Sequence, residues 1–360
     1  MDSVNSARRA SPLARQMFVA YALLVVYASL HPFSGWRDPG VGSLVWLSAA
    51  MPRYITAFDI GANVVGYVPL GFLAILALYP SAQRVAAVAI AAGGAFLLSA
   101  ALESLQIYLP SRIASNIDLA SNTFGGLLGA LLGVAATRLL VREHGLHRLR
   151  DRTFRPGGAI DFGLLLLGLW LFSQLNPESL LYGNGDLRDL FQLPDGRHYP
   201  AEVFIRFEAA VVAANTLAIG LLTATLVERG RPARLVLLLL LLGSILTRAL
   251  AFALLLSPQD FLLWVTPGAL FGIAAGTLAS MIAVGFPRPL RLAICGMALM
   301  AATAIVNFAP GNPYLMASLA MWPQGQFLHF NGLTRLVSAL WPFVALAYVI
   351  WLAADRERRV

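Results

Sequence analysis

The sequence predicts an all-α protein, a polytopic bundle of about ten transmembrane helices. Three observations lead there. Of the 360 residues, 58% are hydrophobic and only 12% charged, whereas a soluble domain carries about 25% charged residues. Mean hydropathy is +0.72. The apolar residues are also gathered into long runs, and the 26 basic residues, all arginine, fall mostly in the short segments between them. The net charge of +8 therefore reads as membrane orientation and not as nucleic-acid binding. A single cysteine, Cys295, excludes an intrachain disulfide. No Cys/His cluster has metal-ligand spacing, so neither a metal nor a cofactor is expected.

A helix that crosses a bilayer needs roughly 20 mostly apolar residues. Candidate spans lie at about 15–31, 58–79, 84–108, 117–138, 159–176, 203–227, 233–256, 260–284, 289–309 and 333–353. The basic stretch MDSVNSARRASPLARQ before the first run resembles the start of a signal peptide. No small-x-small cleavage site follows, so this run reads as an uncleaved span. Pro69 is expected to kink the second span. The fifth is the shortest.

Arginine placement orients the bundle. With the N-terminus inside, 18 arginines fall in inside segments and five outside: Arg37, Arg53, Arg112, Arg188 and Arg197. Arg206, Arg248 and Arg335 lie in or at the edge of spans. This asymmetry predicts cytoplasmic termini, with loops 32–57, 109–116, 177–202 and 310–332 outside.

Landmarks repeat at a nearly constant offset. Gly125, Gly129 and Gly133 in span four match Gly268, Gly272 and Gly276 in span eight. Asp118 and Asp260 each open their span, and Leu30-His31-Pro32 resembles Leu175-Asn176-Pro177. The pattern predicts a tandem, parallel repeat of a four-helix unit. The domains are then 15–140, a degenerate second copy at 159–284, and two further helices at 289–353. Glycine and proline are also common in membrane helices generally, which is the plainer reading.

One stretch, ESLQIYLPSRIASNIDLASNTFGGLLG (103–129), places polar groups between two apolar runs. A carboxylate within the membrane boundary is costly and faces a partner or a wet cavity. Glu103 and Gln106 share a face of span three. Asp118 and Asn122 share the glycine face of span four. Asp59 and Asn63 sit at the same end of span two, and Arg112, in the loop, is expected to pair with Glu103 or Asp118. These seven are the candidate ligand-binding residues, with Glu103 and Asp118 also candidates for catalysis. Each has a plainer reading. Asp118 is suited to cap a helix beginning at about 119, Asp59 can cap span two, and Glu103 with Gln106 can form a structural clamp. The glycines read first as packing.

Elsewhere, Arg248 inside span seven reads as structurally paired with Glu208 or Asp260. His198 and His329 are lone loop histidines. No His-Glu-x-x-His, Gly-x-Ser-x-Gly, Ser-Gly-His or Walker motif is present.

Asn63 with Tyr67-Val68-Pro69-Leu70-Gly71-Phe72, Glu103-x-x-Gln106, Arg112, and Asp118-x-x-x-Asn122-x-x-Gly125 with Gly129 resemble the VanZ-like membrane protein family over about residues 15–140. The resemblance implies an integral protein of the bacterial inner membrane acting at the envelope. The founding members of that family are linked to low-level teicoplanin resistance. Two functions remain open. One is binding of a lipid headgroup, envelope glycolipid or glycopeptide-type antibiotic at the outer leaflet. The other is a membrane-embedded enzyme acting on a lipid-linked substrate with Glu103 as general acid or base. A membrane lipid or lipid-linked component is the expected partner. The sequence does not settle the oligomeric state.

Overall fold

The computed structural model describes residues 11–49, 56–79, 81–82, 84–137, 146–188, 200–309 and 328–355. Arg8, Arg9, Arg53, Arg138, Arg142, Arg197, Arg356, Arg358, Arg359 and His198 lie outside the described residues, as do most of loop 310–332, part of loop 177–202 and the side chain of His329. Among the described residues there are eleven α-helices and no strand. An isolated bridge pairs Phe154 with Val227.

The helices are α1 (Pro12–Leu30), α2 (Ala57–Leu78), α3 (Arg84–Gln106), α4 (Asn116–Thr137), α5 (Leu146–Thr153), α6 (Gly158–Ser173), α7 (Ala201–Leu226), α8 (Ala233–Leu255), α9 (Pro267–Ala283), α10 (Arg288–Phe308) and α11 (Leu328–Ala354). Eight are long and apolar enough to cross a membrane. The chain is a multi-pass membrane protein.

The other two expected spans form as shorter helices, α6 with 16 residues and α9 with 17. At ~1.5 Å per residue they reach about 24–26 Å, short of a ~30 Å hydrocarbon core. In α9 the cause is local. Asp260 does not open the helix; it ends a 3-10 turn, Pro258–Asp260. The helix starts at Pro267, where Thr266 accepts a hydrogen bond from the Ala269 N–H at 3.0 Å. Proline fits a first helical turn because it lacks the N–H that would be unpaired there. Asp260 is therefore no counterpart of Asp118.

The chain divides into two compact units, Met1–Arg152 and Thr153–Val360. In the first, α2 and α4 make the closest helix pair. A Cβ added at Gly125 would lie 2.3 Å from the Val64 carbonyl oxygen, and one at Gly129 would lie 2.0 Å from that of Val68. Gly71 on α2 meets the Gly126 carbonyl equally closely, at 2.0 Å. Only hydrogen side chains permit this approach. α3 covers α4 beside this seam, with Ala95 against Gly126. Its buried residues, Ala87, Ala91, Ala95, Ser99, Leu102, Glu103 and Gln106, recur every three or four positions, the spacing of one helix face. α2 runs unbroken through Pro69. Tyr21 on α1 donates to the Gly66 carbonyl at 2.8 Å.

In the second unit α7 is the central helix, almost wholly buried from Val211 to Leu226. α9 packs on it through Gly268, Gly272 and Gly276, which lie over the carbonyls of Ile205, Ala209 and Ala213. The core around α7 is filled by Trp170, Tyr182, Leu237, Leu299 and Tyr348.

Arg248 departs from expectation. It is buried to 1% exposure and forms no ion pair with Glu208 or Asp260 among the described residues. Its guanidinium donates instead to the main-chain carbonyls of Asn176 and Ser179, just after α6. Glu208 lies within electrostatic range but packs against Gly268. A planar guanidinium suits this role because its forked donors satisfy two carbonyls at once.

Candidate functional site

The polar residues of the first unit collect where α2 begins, α3 ends and α4 begins. α4 starts at Asn116 because Ser115 takes the capping position, its hydroxyl accepting from the Ile117 N–H at 3.2 Å. The sequence expectation of a cap at Asp118 is thus corrected by three residues. Asp118 stands in the first turn, where a carboxylate complements the positive end of the helix. It accepts a hydrogen bond from the Asn63 side-chain amide of α2 at 2.8 Å.

Glu103, in the last turn of α3, is 3% exposed. Its Oε2 accepts from the Ser115 N–H at 2.8 Å. A single carboxylate therefore holds the start of α4 to the end of α3. One turn before it, Ser99 accepts from the Asn122 amide at 3.0 Å. The Tyr67 hydroxyl of α2 lies beside Ser99 as well.

Arg112 and Gln106 turn the other way, toward α1. Arg112 donates to the Ala28 carbonyl and Gln106 to the Ser29 carbonyl at 2.9 Å. These are carbonyls of the last turn of α1, which lack helical partners. Arg112 forms no ion pair with Glu103 or Asp118, contrary to the pairing the sequence suggests, although all three lie within electrostatic range of one another. Burial pushes the Arg112 guanidinium below its ordinary range, and the two carboxylates push it back up. The carbonyls win the direct contact because Arg112 sits in a tight loop after Pro110, against the end of α1.

Asp59 stands apart. It is exposed and closes a capping box with Thr56, accepting from the Thr56 N–H at 3.0 Å while Thr56 accepts from its own N–H at 3.2 Å. Three polar atoms of the cluster are buried without a hydrogen-bond partner among the described residues: the Tyr67 hydroxyl, Asn122 Oδ1 and Arg112 Nε. Ser99, Ser115 and Tyr67 were missed as members of the cluster. Ser99 was findable, since it shares one face of α3 with Glu103 and Gln106. Among the described residues no group of His, Cys, Asp or Glu could hold a metal ion.

These observations define a multi-pass helical membrane protein whose first four helices carry a buried polar cluster at one end. Residues 5–137 match the model of the VanZ/LLP1 family, so the N-terminal part of the chain is VanZ-like. The match ends at the last residue of α4, and every residue that carried the resemblance falls inside it. No curated protein and no solved structure gives a match.

Proposed function

We propose that the first unit binds the polar headgroup of a lipid or lipid-linked envelope component, and that a lipophilic glycopeptide antibiotic is a further ligand of the same kind. The observation that carries this reading is the gathering of three unsatisfied buried atoms, on Tyr67, Arg112 and Asn122, at one end of the unit. A buried polar atom without a partner is rare and calls for a ligand or water. Asn122 Oδ1 would accept from a hydroxyl or amine, and Arg112 would attract an anionic group. Asn63 and Asp118 would form the mouth, being only half-buried. Glu103 and Gln106 would serve chiefly to hold the helices that frame it. A role in antibiotic resistance belongs to this reading and rests on the family resemblance.

The test is native mass spectrometry of lipids retained by the full chain. Asn122→Ala is expected to cut the retained species roughly tenfold, since a hydrogen bond to a buried group is worth about 1–1.5 kcal/mol. Glu103→Gln keeps shape and is expected to lose only part. Unchanged retention in Asn122→Ala removes the binding reading. If Glu103→Gln leaves binding intact but lets the bound lipid accumulate unaltered in a modified-to-unmodified assay, Glu103 is a general acid or base instead.

Orientation is part of the same proposal: the inner membrane of a bacterium, termini cytoplasmic, cluster at the outer leaflet. In a Cys295→Ala background, cysteine at Ser111 is expected to react with an impermeant thiol reagent in intact cells. Cysteine at His144 is not. The reverse pattern would put the cluster at the cytoplasmic face.

The tandem repeat also belongs here. In both units a glycine stripe lies over carbonyls four residues apart, α4 on α2 and α9 on α7. This shared seam supports duplication, while the late start of α9 weakens it.

A further inference from the structure

In the second unit an apolar groove of about 560 Å³ runs between α8 and α9, lined by Leu238, Leu242 and Ile245 on one side and Ile273, Ala274 and Leu278 on the other. At one end Arg234, in the first turn of α8, reaches across and donates from Nε to the Met281 carbonyl of α9 at 3.1 Å. Its terminal nitrogens have no hydrogen-bond partner among the described residues, and the side chain is exposed. Arg229 and Arg231 stand in the adjoining turn, with Glu228 as the one acidic residue there.

We infer that this groove holds one acyl chain of an anionic phospholipid, with the phosphate on Arg234. Length and charge both fit. From Arg234 to Ile245 is 11 residues, about 16 Å of helix, which matches the roughly 15 Å hydrocarbon depth of one leaflet. The volume falls within the ~300–1,000 Å³ of ligand pockets. The guanidinium is already fixed by its Nε contact, so its remaining donors form a preset fork for a phosphate. Basic sites between membrane helices at the headgroup level take anionic lipids for this reason. The inference is independent of the cluster in the first unit.

The probe is phosphatidylglycerol carrying a diazirine midway along one acyl chain, photolysed with the full chain in nanodiscs and followed by peptide mapping. Crosslinks are expected in 238–245 and 273–281. Arg234→Gln should lower them about fivefold, the effect of one arginine near an anionic headgroup, and Arg234→Lys should restore part. Ala274→Trp, which fills the groove from an exposed position, should abolish them. A phosphatidylcholine probe should label about fivefold less, and inorganic phosphate should not compete. Equal labelling by both lipids with no response to Arg234→Gln would reduce the groove to ordinary boundary lipid and overturn the inference. So would competition by free phosphate, or absent labelling together with crosslinks between two copies at α8.

Discussion

Gly129→Ala is expected to destabilise the packing of the first unit strongly. The new methyl would sit 2.0 Å from the Val68 carbonyl oxygen, and the obstacle is backbone on a packed helix, which cannot swing aside. Overpacking usually costs about 1–3 kcal/mol, and a clash with main chain belongs at the top of that range. Detergent extraction should yield aggregated protein, or a monodisperse fraction with a markedly lower Tm. Gly93→Ala on α3 is the control, because nothing lies within 4 Å of a Cβ there. It should gain up to ~1 kcal/mol, since alanine favours a helix interior over glycine. Wild-type behaviour of Gly129→Ala would mean that α2 and α4 stand further apart than described.

The second large effect is expected at Arg248. Arg248→Ala removes the donor for the Asn176 and Ser179 carbonyls and opens a hole at a site only 1% exposed. Leaving a buried carbonyl without its donor costs about 1–3 kcal/mol, two carbonyls are involved, and the cavity adds to the loss, together enough to unfold many domains. Tyr182, whose hydroxyl burial pushes up to about 12, remains neutral and bonds Ser244 at 2.6 Å nearby. It cannot replace a cation that serves two carbonyls. Arg248→Lys should recover only part of the loss, because an ammonium lacks the fork. Thermal unfolding of the purified variants checks both statements. A Tm for Arg248→Ala within a degree or two of wild type would show that water satisfies those carbonyls.

Much of the fold could be read from the order of residues. Helices came from apolar runs, whose length a bilayer fixes. That α4 and α9 each carry a close-packing face came from glycines four apart, since no other residue lets backbones meet; that α2 and α7 are the partners came from the structure. Helix starts were less legible where two caps competed. Ser115, just outside the expected span, displaced Asp118, and Thr266-Pro267, inside the expected span, displaced Asp260.

By itself the sequence determined the membrane class, the helix order, the VanZ-like character of residues 5–137 and the gathering of Asn63, Glu103, Gln106, Asp118 and Asn122 at one end of the first unit. Those properties depend on spacing along single helices, and helical geometry is local. Tertiary structure alone decided the partners. Glu103 went to a main-chain N–H, Arg112 and Gln106 to the last carbonyls of α1, and Arg248 to the carbonyls after α6. For Glu103, Arg112 and Arg248 the sequence suggested charge pairs instead. In a membrane interior the main-chain groups freed at helix ends are themselves strong, unsatisfied partners, and which side chain reaches them depends on how the helices pack.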